Sequence, residues 1–168
     1  MRVPLYRVVF ECMYYSGLRI GEAMSLTVDS VDAEHRTLRV VGKGNKERLA
    51  PLSEALYRDL RQAWSTHRTR PWLFPNRRHT GTVNAHTLEY AFRSACEQAG
   101  LDSAQVKPHS LRHSFATRLH EQGIPSETVR ILLGHSSVET TKRYLHLLEA
   151  SSDKVSGALD SFCKSSMR

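Results

Sequence analysis

Residues 108–148, PHSLRHSFATRLHEQG followed by IPSETVRILLGHSSVETTKRYLHLL, constrain this chain more than any other stretch. They hold four groups suited to phosphoryl chemistry: His109, Arg112, His135 and Tyr144. His109 and Arg112 are three apart and share one helix face. His135 and Tyr144 are nine apart, with a turn signal of Gly134, Ser136 and Ser137 between them. Ser137 is suited to cap a short helix, VETTKRYLHLL, in which Thr141, Tyr144, Leu145 and Leu148 recur at helical spacing. A guanidinium holds phosphate oxygens in a bidentate fork, an imidazole moves protons near neutral pH, and a phenol can act as a covalent nucleophile. Together these groups point to an enzyme acting on a phosphate.

The remaining numbers narrow the partner. A length of 168 residues predicts one domain with its own core. Lys and Arg number 24 against 17 Asp and Glu, a formal net charge of +7. A basic surface favours a polyanion, nucleic acid first and anionic membrane second. No apolar run approaches the roughly 20 residues that span a bilayer, and no signal peptide is visible. Cys12, Cys96 and Cys163 are odd in number and widely spaced, which argues against a disulfide framework or zinc cluster and for a reducing cytosol.

Along the chain, residues 3–16 predict a largely buried helix that Gly17 ends, and GLRIGEAMSL predicts a second, short one. Arg19 reads either as a solvated cation at a helix start or as a guanidinium held by Glu22, three residues on. In residues 37–52, TLRVV and ERLAPL flank GKGN, a hairpin signal. Lys43 sits in its turn, with Lys46 and Arg48 just after. Such cations either protect a sheet edge or enter a DNA groove. Ser53 caps a helix, SEALYRDLRQAWSTHR, with Leu56, Leu60 and Trp64 on its apolar side. Trp72, Leu73 and Phe74 read as core anchors in an irregular segment, and Arg77, Arg78 and His79 as a basic loop that touches phosphate or is simply solvated. A helix over about 86–99 stops at Gly100. Beyond Tyr144, Val155, Leu159 and Phe162 share one side of a weakly amphipathic tail, and KSSMR should be disordered.

His109 and His113 at i, i+4 invite a zinc reading, but Arg112 between them is poor company for a metal and no glutamate base is present. The joint pattern carries more weight than any member. GLRIGE, VVGKGNKERLAPL, HSLRHSFAT, LLGH and TTKRYLH, in this order from about residue 5 to about residue 148, resemble the tyrosine recombinases of the lambda-integrase and Xer type. The spacings agree as well: Arg19 to Lys43 is 24, and His109 to His135 is 26.

The resemblance implies a mechanism. Tyr144 attacks a scissile DNA phosphate, leaving a 3′-phosphotyrosyl link and a free 5′-hydroxyl. Arg19 and Arg112 clamp the non-bridging oxygens, Lys43 protonates the leaving 5′-oxygen, His109 assists proton transfer with Tyr144, and His135 hydrogen-bonds a phosphoryl oxygen. Glu22 supports Arg19. Lys46, Arg48, Arg77 and Arg78, from the basic segments above, are candidate DNA contacts. No metal, ATP or other cofactor is expected. The implied partners are double-stranded DNA and further copies of the chain, a tetramer on two duplexes, and no membrane is involved.

The expected fold is α+β and mostly helical, with a small antiparallel sheet built around the 37–52 hairpin. Residues 1–150 form the catalytic domain and 151–168 a tail whose GALDSF stretch is a candidate docking segment. Family members usually carry an N-terminal helical domain that closes a clamp round DNA, and this chain is expected to lack it. Two other readings share parts of the pattern: a type IB topoisomerase that relaxes DNA with the same residue types, and a DNA-binding remnant without catalysis. The texture of GKGNKER and LGHSSVETT favours the recombinase over the topoisomerase, and a remnant would be marked by a lost catalytic residue, whereas all six are present.

Overall fold

A computed structural model describes residues 5–42, 44–45 and 47–134. Helix α1 (Leu5–Ser16) buries Val8, Val9, Cys12 and Met13, one side of the helix, at the centre of the larger core. Gly17 ends it with φ +65°, and the short α2 (Ile20–Met24) follows after Leu18 and Arg19. Three antiparallel strands come next: β1 (Val31–Asp32), β2 (Thr37–Val41) and β3 (Glu47–Pro51), with β2 in the middle. The hairpin predicted over 37–52 is present, and β1 adds a two-residue edge too short to leave a period-2 signal. In β2, Leu38 and Val40 point into the core while Arg39 and Val41 point out.

Ser53 caps α3 (Glu54–Ser65), its Oγ accepting the Leu56 amide at 3.2 Å, and Leu56, Leu60 and Ala63 are buried. Trp64 is half-buried against the same core. The helix stops before the 68 expected, because Arg68 takes a positive φ of 51°. Leu73 and Phe74 are core residues as predicted, whereas Trp72, expected as a third anchor, is only half-buried and pairs with Thr27 in an isolated bridge. Asn84 caps α4 (Ala85–Gln98), which ends before Gly100 at φ +70°. Helix α5 (Pro108–Glu121) packs along α1, and α6 (Ser126–Leu132), which the sequence reading did not separate, follows the turn at Gly123. Phe115, Leu119, Ile124, Val129, Ile131 and Leu132 make a second, smaller core between α5 and α6. Among the described residues no helix is long and apolar enough to cross a membrane, and Cys12 and Cys96 are buried free thiols.

Candidate phosphate-handling site

The site begins at the break between α1 and α2. Gly17 reverses the chain in a conformation that side chains disfavour, and a Cβ there would lie 2.6 Å from the Phe115 ring of α5. The reversal leaves the Gly17 carbonyl facing α5 and brings Arg19 to the N-cap of α2. Glu22, three residues into the next turn, then reaches back. Its Oε2 accepts the Arg19 backbone N–H at 2.8 Å, and its Oε1 accepts Arg19 Nη1 at 2.8 Å. Of the two readings of Arg19, the ion pair with Glu22 is formed, with Glu22 buried and the Arg19 side chain 44% exposed.

Two further guanidiniums converge on the same carboxylate. Arg112, in the second turn of α5 and 3% exposed, donates Nη1 to the Gly17 carbonyl and Nη2 to the Leu133 carbonyl; its Nη1 lies 3.8 Å from Glu22 Oε2. Arg48 of β3 donates Nη2 to Glu22 Oε2 at 2.7 Å and Nη1 to the Leu132 carbonyl at 2.9 Å. The two arginines thus occupy successive carbonyls at the C-terminal end of α6, groups that a helix leaves without internal partners. His109 stands exposed one turn before Arg112.

Three guanidiniums around one carboxylate leave a surplus of positive charge in a partly buried place. Burial pushes the Arg112 guanidinium down to about 10, helped by the charges of Arg19 and Arg48 and opposed by Glu22. It remains protonated at neutral pH. Burial pushes the Glu22 carboxyl up, but the Arg48 charge, the Arg19 amide and the hydrogen bonds from both guanidiniums outweigh it and hold Glu22 below the usual carboxylate range. Such an arrangement can receive an anion on its open, Arg19 side without a metal's charge being required for electrostatic attraction.

Of the residues singled out in the sequence, the structure brings Arg19, Glu22, Arg48 and Arg112 together. Arg48, expected to face DNA, is turned inward and its side chain is 11% exposed. The register explains this: Arg48 pairs with Val40, and residues directly opposite on antiparallel strands share a face, here the buried one with Leu38 and Ala50. Counting outward from the GKGN turn would have found it. The peptide carbonyls of Gly17, Leu132 and Leu133 carry no such signal. Arg77 and Arg78 are exposed in a turn built on Asn76, whose Oδ1 accepts the Arg78 and Thr80 amides. They rim a separate groove of about 1280 Å³ between α1 and α4. Lys43, Lys46, His135 and Tyr144 lie outside the described residues, as do Ser137, the tail residues Val155, Leu159 and Phe162, and Cys163.

A mostly helical domain with a three-stranded sheet gathers arginines from the N-cap of α2, from β3 and from α5 around one glutamate, and the surplus positive charge suits an anionic group. A family model described as the phage integrase family matches residues 5–151, and the chain belongs to that family. It is 38% identical over 148 residues to tyrosine recombinase XerD of Brucella suis biovar 1 (strain 1330), covering 84% of this chain and 48% of that relative. It is 39% identical over 147 residues to XerD of Caulobacter vibrioides (strain ATCC 19089 / CIP 103742 / CB 15), covering 83% of this chain and 48% of that one. Among solved structures, XerH site-specific recombinase in a post-cleavage complex with a palindromic difH substrate shares the fold: TM-score 0.70, 25% identity, 88% of this chain and 44% of that one. The chain spans about half the length of the curated relatives it matches.

Proposed function

We propose that this chain carries the strand-cleaving and rejoining domain of a site-specific DNA recombinase. Tyr144 Oη attacks the scissile phosphorus, the bond to the 5′-oxygen breaks, and the strand is held as a 3′-phosphotyrosyl ester. His109 takes the phenolic proton, Lys43 gives a proton to the departing 5′-oxygen, and His135 hydrogen-bonds a non-bridging oxygen. Arg19 and Arg112 neutralise the charge that builds on those oxygens in the transition state. Glu22 holds Arg19 in one rotamer. A 5′-hydroxyl from another strand reverses the attack, so the ester stores the energy of the broken bond. Copies of the chain assemble on paired duplexes, with the GALDSF stretch of the tail as the contact. Arg77, Arg78 and Lys46 meet the DNA backbone.

The observation that carries this reading is the pairing of a solvent-open Arg19 with a buried Arg112 through one carboxylate. Together with the family, it favours a pre-set clamp for one phosphate. The test is covalent trapping on nicked suicide duplexes drawn from the flanking genome. A protein–DNA adduct that forms with the native chain and disappears in Tyr144→Phe is the expected result. An adduct that survives that substitution would remove Tyr144 as nucleophile.

A further inference from the structure

Arg48 joins two other elements to its own strand through one guanidinium. It leaves β3, donates to Glu22 in α2 and donates to the Leu132 carbonyl at the end of α6. Its stem passes so close to Gly134 that a Cβ on that glycine would lie 2.4 Å from Arg48 Cδ, and Gly134 has φ +71°. Two constraints therefore meet at residue 134: a backbone shape that favours glycine, and a side chain running through the space any other residue would need.

We propose that Arg48 is a positioning residue for strand cleavage, one that sets both the separation and the net charge of the Arg19–Arg112 pair by occupying Glu22. This rests on the function proposed above. Glu22 Oε2 lies 2.7 Å from Arg48 but 3.8 Å from Arg112. Arg48 thus takes up the share of the carboxylate's charge that Arg112 would otherwise draw. Arg112 stays on the carbonyls of Gly17 and Leu133, where α5 and α6 fix it. With Arg48 gone, Glu22 has two cations in place of three, and the nearest move is for Arg112 to cross that gap. The guanidinium would then turn toward Glu22, and the positive charge left for a phosphate would fall by one. The end of α6 would also lose the donor that ties it to the sheet. A side chain 11% exposed can do this without touching a duplex.

The test compares the native chain, Arg48→Met and Arg48→Lys on nicked suicide duplexes with either an ordinary phosphodiester or a neutral methylphosphonate at the scissile position. Circular dichroism reports folding and duplex affinity is measured in parallel. Removing a charged hydrogen bond of this kind should slow adduct formation on the diester by about tenfold to a hundredfold in Arg48→Met. Duplex affinity should change little. The deficit should shrink on the methylphosphonate, which has no full negative charge for the arginine pair to neutralise, and Arg48→Lys should recover part of the rate. Should Arg48→Met fail to fold, the same comparison between substrates is made with Arg48→Lys. A loss of equal size on both substrates, or no loss, overturns the role of Arg48 while leaving the proposed function standing. Absence of an adduct from the native chain overturns both.

Discussion

At the scale of single residues, Glu22 is the hinge of the site's electrostatics. A lone buried carboxylate would favour its neutral form, yet here Arg48 and Arg19 keep it charged. The consequence for stability has a definite sign. Glu22 ionises more readily in the folded chain than in the unfolded one, so its contribution is present above the ordinary glutamate range and is lost as pH falls through the lowered folded value. Glu22→Gln leaves the guanidiniums without their counter-charge and should destabilise the fold at neutral pH. Denaturant unfolding of both proteins across pH should show that gap holding down to about pH 4.3 and closing below it. A gap that widened on acidification would mean that the carboxyl is not held ionised by its arginines.

At the scale of elements, the junction of α1 and α2 is positioned by α5 as much as by its own sequence. Gly17 and Gly100 both have positive φ, +65° and +70°. Around Gly100 a Cβ would meet nothing within 4 Å, whereas at Gly17 it would strike Phe115. Gly100→Ala should therefore cost only the left-handed backbone penalty, about 1–2 kcal/mol. Gly17→Ala adds overpacking against a buried ring, roughly 1–3 kcal/mol more. Equal losses in denaturant unfolding would show that α5 yields freely at that point. The same contrast bears on legibility. Both glycines were readable as helix stops, since that information lies within a few residues. That Gly17 also turns its carbonyl toward Arg112, 95 residues away in the chain, was not.

At the scale of the whole molecule, a net charge of +7 and exposed arginines at 77 and 78 favour a polyanionic partner. Each phosphate a protein neutralises adds about 0.9 to the slope of log affinity against log salt. The chain spans about half the length of the relatives it matches, so on the proposed function these 168 residues would make a share of their phosphate contacts. Its DNA affinity should be weak and fall with salt along a shallower slope than that of a full-length XerD relative. Titrations of one duplex between roughly 50 and 200 mM salt compare the two directly. A slope as steep as the relative's would require this chain alone to make all the phosphate contacts.

Local order settled much of this protein. Helical spacing, the Ser53 cap, the GKGN hairpin and the series GLRIGE to TTKRYLH are each written over a few residues, and they were enough for the mostly helical α+β class and the family. The Arg19–Glu22 pair belongs with them, being three residues apart on one turn. What the tertiary structure alone decided is the company Glu22 keeps. Arg48 reaches it across 26 residues and holds Leu132 across 84, and Arg112 is buried between Gly17 and Leu133. Those partners are backbone carbonyls and a charge on another element. No side-chain type marks a carbonyl in the sequence, and a charge so placed is tolerated inside only where packing brings its partners within hydrogen-bond reach.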